Sequence, residues 1–287
     1  MTALSPELPV WDRHVTHRFA VAMATSDPHS RKVLRAIESA AVEAGCLLTL
    51  ADTGDSVSEE AAIVRSLRAD RVDGVLLVPA AGDEAVVNGL VRMGVPTVLV
   101  DRMAKRTDVD QVGSENALAM CTLVRHLTDR RHRKIGLISG QPGMTTTDER
   151  TKGYKQGLEQ AGLRWSSTLV ACGQSTAGGA AAATARLLDA WPSPTALVVA
   201  SESMMIGVQY ELHRRGIRVG SELALVGYGD TAWARTVDSP LTTMAQPIAE
   251  VGRKAVQLLL TRIADPDRKN EVVRLPPKFL HRASCGC

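Results

Sequence analysis

The sequence predicts an α/β protein made of two units, each a parallel sheet with helices on both faces. Three observations lead there. Short, almost continuously apolar runs alternate with stretches of helical periodicity, as strands covered on both faces require. Seven such runs and eight helical stretches exceed what one ordinary doubly wound sheet holds. The pattern restarts after a polar break at residues 102–114 (RMAKRTDVDQVGS), and a late strand follows the last long helix. The chain therefore crosses back, and the units are discontinuous.

The strand runs are residues 19–23, 47–51, 74–78, 97–100, 135–139, 196–200 and 223–226. Residues 31–44 place Val33, Leu34, Ile37, Ala40, Ala41 and Ala44 on one stripe and stop at Gly45, a C′ glycine. Residues 58–69 start with Ser58 as N-cap and Glu59 and Glu60 in the first turn. Helices over 83–93, 147–161 and 203–215 end at Gly94, Gly162 and Gly216. Helices over 115–128, 177–190 and 248–263 complete the set, and residues 271–275 alternate as a final strand.

Composition narrows the function. With 45% hydrophobic and 23% charged residues over 287, the chain buries a full core and is neither disordered nor collagenous. Four Trp, three Tyr and two Phe leave little for a base-stacking platform. A net charge of +3 demands no polyanionic partner. The N-terminal stretch MTALSPELPVWDRHVTHR lacks the apolar core of a signal peptide, and no apolar run reaches the roughly 20 residues of a membrane span. The expectation is a soluble, cytoplasmic protein without membrane contact. Of the five cysteines, Cys285 and Cys287 form a terminal C-x-C with no His or Cys at ligand spacing in the sequence, so no metal site is expected.

Catalytic signatures are missing. There is no G-x-S-x-G, no H-E-x-x-H, and GLISGQPG at residues 136–143 fits neither phosphate-binding glycine pattern. Gly178 and Gly179 read as close helix packing. The basic cluster His126, Arg130, Arg131, His132, Arg133 and Lys134 reads as cations complementing a helix C-terminus. Asp52, Asp101 and Asp230 follow strands, where open α/β sheets place binding groups, and His29 lies in the first loop. Neither an enzyme nor a cofactor is expected.

Several segments in fixed order resemble the lactose/galactose repressor family, specifically its effector-binding core. They are RFAVAMATSDPHSRKVLRAIESAAVEAG (18–45), RVDGVLLVPA (71–80), GVPTVLVDR (94–102), SEN (114–116), HLTDRRHRKIGLISG (126–140) and DERTKGYKQGLEQAG (148–162). SESMMIGVQYELHRRGIRVGSELALVGYGDT and SPLTTMAQPIAEVG close the match. Arg131 stands at a usual glycine, Ser201-Glu202 at a usual Asn-Asp pair, and Gly229 at the usual effector-anchoring Asp, with Asp230 next to it.

The resemblance implies a periplasmic-binding-protein-like fold of two Rossmann-like lobes joined by three crossovers. An N-terminal tail (1–17) would precede an N-terminal lobe of 18–114 plus 245–269 and a C-terminal lobe of 115–244 plus 270–287. A small polar effector, sugar-like or other, would sit between the lobes and be coupled to operator binding in a full-length regulator. Arg150 would be its principal contact, with Asp230, Asp101, Ser201, Glu202, His29, Ser30 and Gln246 around it. Operator DNA would be met only through a helix-turn-helix, a pattern not seen before Phe19. A homodimer is expected, with Leu67, Val86, Val87 and Leu90 as apolar contacts. The alternatives on this fold are a transporter's solute-binding protein and a hydrolase.

Overall fold

The computed structural model describes residues 17–66, 72–82, 84–191 and 193–287. The expectations for residues 1–16 and for Leu67 lie outside them. The first lobe runs β1 (Arg18–Met23), α1 (Pro28–Glu43), β2 (Leu47–Asp52), α2 (Val57–Ser66), β3 (Gly74–Leu77), α3 (Ala85–Arg92), β4 (Thr97–Val100) and β5 (Asp110–Ser114). The second runs α4 (Asn116–Asp129), β6 (Ile135–Ser139), α5 (Thr145–Gln160), β7 (Val170–Cys172), α6 (Ala177–Asp189), β8 (Ala196–Val199), α7 (Glu202–Arg214), β9 (Ala224–Tyr228) and β10 (Thr242–Ala245). The chain then returns with α8 (Ile248–Ala264) and β11 (Val272–Leu275), and crosses again to β12 (Lys278–Leu280).

Each lobe is one six-stranded sheet, ordered β11-β5-β4-β3-β1-β2 and β12-β10-β9-β8-β6-β7. All neighbours are parallel except β12, which runs antiparallel to β10. The shared order places a topological switch point beside the first strand of each sheet, so the two crevices face each other across the crossovers after β5, β10 and β11. The expected architecture is the observed one.

Glycines end the helices as the sequence indicates. Gly45, Gly94, Gly162 and Gly216 have φ of 71°, 66°, 69° and 68°, left-handed positions that cost other residues steric strain. Arg131 takes the same conformation, φ 67°, after α4. The His132 amide reaches back to the Leu127 carbonyl (3.2 Å) and the Arg131 amide to Thr128 (2.9 Å), a Schellman ending without its glycine.

Two expectations are corrected. Residues 272–275, assigned to the C-terminal lobe, pair with β5 and belong to the first sheet; only the chain from β12 onward returns to the second. Val86, Val87 and Leu90 do not face a partner but are buried in their own lobe's core beside Leu77 and Leu99. The polar break conceals β5, whose Asp110 is fully buried yet paired with Arg262 (2.9 Å) and Arg268 (2.7 Å).

Candidate functional site

Between the lobes lies a cleft of about 290 Å³. Its first-lobe wall comes from the loops after β1, β2 and β4, its second-lobe wall from those after β6, β7 and β8 and from the last residue of β9, all strand C-terminal ends. Seven of the eight sequence-predicted residues line it: His29, Ser30, Asp101, Arg150, Ser201, Glu202 and Gln246.

Arg150 projects from the second turn of α5. Its Nε donates to Asn116 Oδ1 (2.9 Å) and its Nη1 to the Ala200 carbonyl (2.9 Å). The guanidinium lies 4.0 Å from the centre of the Tyr228 ring, a cation–π stack that fixes its plane. Asn116 is itself held by Glu149 (2.8 Å), which accepts from Arg274 of the first lobe (2.7 Å). Arg150 is thus positioned by a network that crosses between lobes.

Facing it from the first lobe is a part-buried pair, with His29 Nε2 2.9 Å from Asp101 Oδ2. Burial alone would lower the His29 pKa, but the Asp101 carboxylate outweighs it, with Glu202 assisting, and the net shift is upward. Burial opposes charge on Asp101 too, yet His29, Arg150 and Arg102 hold its pKa down to about 2. Asp101 sits at φ 64°, while the Arg102 amide donates to the Val100 carbonyl at 2.7 Å. This is a γ-turn of the strained hand, the kind of backbone that persists at binding sites. His29 Nδ1 is buried without a hydrogen-bond partner, and Tyr228 Oη makes no hydrogen bond of good geometry. Buried polar groups are seldom left so.

The remaining predicted residues divide. Ser30 lines the wall, but its hydroxyl donates to Asp27, the N-cap of α1. Ser201 caps α7. Gln246 stands at a crossover, 3.4 Å from Ser114 Oγ. Glu202 accepts both short contacts of Lys32 across the cleft, at 2.7 and 3.0 Å.

Asp230 is corrected. It is absent from the lining, and its carboxylate is taken by Arg282 (2.7 Å), Arg235 (3.0 Å) and Thr243 (2.9 Å). Only its carbonyl faces the cleft side, accepting from Lys32 at 3.1 Å. Gly229, beside it, has φ 97°, and a Cβ there would lie 2.2 Å from Glu202 Cγ. Positions 202 and 229 are therefore sterically linked: the Glu202 side chain from α7 fills the space a side chain at 229 would need.

Lys32, Asn116 and Tyr228 were not singled out from the sequence. The SEN segment gave a signal for Asn116; the other two became visible only when the lobes met. Folding also brings His126 and His281 to Cys285 and Cys287, neighbours that the spacing in the sequence does not show.

Comparisons with known proteins agree with this geometry. Residues 124–285 match the family described as periplasmic binding protein-like domain. The HTH-type transcriptional repressor PurR of Vibrio atlanticus is 27% identical over 254 residues, covering 88% of this chain and 76% of its own. The ribose operon repressor of Haemophilus influenzae is 28% identical over 91% of this chain and 78% of its own. The HTH-type transcriptional repressor CytR of Escherichia coli is 29% identical, with 83% and 70% covered. Among solved structures, a transcriptional regulator CelR–cellobiose complex superposes with a TM-score of 0.87 at 28% identity, covering 94% of this chain and 85% of that one. These relatives are named as repressors or regulators, not as enzymes. Among the described residues no helix is long and apolar enough to cross a membrane.

Proposed function

The chain belongs to the periplasmic binding protein-like domain family and is a ligand-sensing core of the lactose/galactose repressor kind, and on that premise we propose that its cleft takes a small, neutral, hydroxyl-rich effector of about monosaccharide size. The observation that carries this is the pairing of Asp101, Glu202 and Arg102, with Arg150 held by the neutral Asn116 and Ala200 carbonyl. Asp101 is matched by His29, Glu202 by Lys32, and Arg102 by Asp55 with bidentate contact. A charged ligand would disturb these pairs, whereas hydroxyls can both donate to Asp101 and accept from Arg150.

The polar lining, with Gln141, Thr147, Gln174 and Ser175 beside the residues above, supports the same reading. Tyr228 is the one Phe, Tyr or Trp ring among the described lining residues, and Arg150 covers its face. A nucleobase would find no free platform. The ribose operon repressor and the cellobiose complex carry sugar names, which also favours a carbohydrate.

A ligand touching His29 and Asp101 on one lobe and Arg150 on the other stabilises the closed arrangement by its differential affinity. In a regulator that closure changes operator affinity, a coupling typically worth about 1–3 kcal/mol. The protein acts in the cytoplasm as a homodimer without catalysis of its own. Apolar side chains that remain exposed, Leu47 and Leu50 on edge strand β2 and Ile206 and Tyr210 one turn apart on α7, are its candidate contacts.

A thermal-shift screen over neutral sugars, polyols, nucleosides and organic acids tests the ligand class, because binding only the native state raises the melting temperature by mass action. A neutral sugar or polyol is expected to give the largest rise. A response confined to nucleosides or acids would overturn the assignment.

A further inference from the structure

On the second lobe, away from the cleft, four metal-ligating side chains converge. The ligand atoms of His126, His281, Cys285 and Cys287 all lie within 4.8 Å of one another. Cys287 Sγ is 3.8 Å from His126 Nε2, and the two imidazole centres are 5.3 Å apart. A tetrahedral ion with bonds of about 2.3 Å to sulfur and about 2.0 Å to nitrogen sets its ligand atoms about 3.3–3.8 Å apart. The cluster needs only sub-ångström to ångström adjustments to meet that.

Three separate devices assemble it. The last turn of α4 carries His126. Pairing of β12 with β10 delivers His281, the residue after the strand's end. The tail is then pinned: Ser284 donates its amide to the Pro240 carbonyl (3.0 Å) and accepts the Thr242 amide on its hydroxyl (2.8 Å). Gly286, at φ 77° with no room for a Cβ against the Gly220 carbonyl, reverses the chain so that both sulfurs meet the histidines. Cys285 is 1% exposed, which suits the inner ligand, while Cys287 is open to solvent for metal entry.

We propose that His126, His281, Cys285 and Cys287 form a structural zinc site that fastens the C-terminus to α4. Two thiolates and two imidazoles are the donor set of closed, four-coordinate zinc sites, and tetrahedral S₂N₂ geometry selects zinc over magnesium or calcium. On binding, both thiols release their protons to solvent and form two metal–sulfur bonds. His126 Nε2, which accepts from Arg130 Nε at 3.3 Å, exchanges that contact for the metal.

The test uses the full chain, stripped with a chelator under reducing conditions and titrated with Zn²⁺ and Co²⁺. One zinc per chain should be held against a chromophoric competitor. Cobalt should give thiolate-to-metal charge transfer in the near ultraviolet and the intense visible bands of a four-coordinate ion. Cys287→Ser and His126→Gln, checked for folding by circular dichroism, should each weaken zinc binding at least about 100-fold and diminish the cobalt spectrum; loss of outer-shell partners alone already weakens such sites about 10–100-fold. Zinc should raise the melting temperature of the parent chain and not of Cys287→Ser. A folded parent chain without the cobalt bands, or bands unchanged in both variants, would overturn the proposal.

Discussion

Replacing Arg150 by alanine probes the cleft most sharply. The side chain donates to Asn116 and to the Ala200 carbonyl, stacks on Tyr228 and faces Asp101. Deleting it removes one charge-assisted hydrogen bond to the effector, worth about 1.5–3 kcal/mol, so affinity should fall about ten- to hundred-fold. The Ala200 carbonyl borders the cleft, where water can replace the lost donor, and Asn116 keeps its bond to Glu149. The fold should therefore lose only about 1 kcal/mol, and the melting temperature about 2–4 °C. Arg150→Lys keeps the charge but not the planar fork and should fall between the two. Calorimetry with the best sugar from the screen reads the affinity, and circular dichroism reads the fold. An Arg150→Ala protein that is folded and binds within about 0.5 kcal/mol of the parent would refute this account of the site.

Three further outcomes are expected. Arg131→Gly relieves the left-handed strain after α4 and should stabilise the chain by about 1 kcal/mol in urea unfolding, with no change in ligand affinity. Gly229→Ala places a methyl group on Glu202 at a φ of 97° and should cost about 1–3 kcal/mol in the same measurement. The His29–Asp101 pair makes stability depend on pH in two windows. Because the His29 pKa is raised on folding, its contribution is full below about 6.5 and is lost as pH rises through the folded value. Because that of Asp101 is depressed to about 2, its contribution is full above about 4 and fades as pH falls toward 2. Urea midpoints across pH should show the alkaline loss in the parent chain and not in His29→Gln.

Much of this was legible in the sequence, for physical reasons. Buried parallel strands must be apolar on both faces, so the runs at 19–23, 135–139 and 196–200 announced themselves, and the left-handed glycines closed the helices. Strand β5 did not, because its Asp110 and Gln111 are buried with polar partners brought from elsewhere: Arg262 and Arg268 for one, the Ala104 amide and the Arg106 carbonyl for the other. Position after a strand pointed to His29 and Asp101, and the family resemblance to Arg150, and all three line the cleft. It misled at Asp230, since Arg282, which claims that carboxylate, lies 52 residues away in sequence. The C-terminal cysteines looked unaccompanied for the same reason, with His126 separated from Cys287 by 161 residues. Local pattern reports the elements; which polar groups neutralise each other is decided only by the packed lobes.

The central claim, a neutral hydroxylated effector held between the lobes, is tested most directly by a crystal structure of the chain with the sugar or polyol that most raises its melting temperature. The ligand is predicted between Arg150 and the His29–Asp101 pair, with hydroxyls bonded to Asp101 and to the guanidinium and with contacts to both lobes. A ligand bound outside the cleft, or touching one lobe alone, would contradict it.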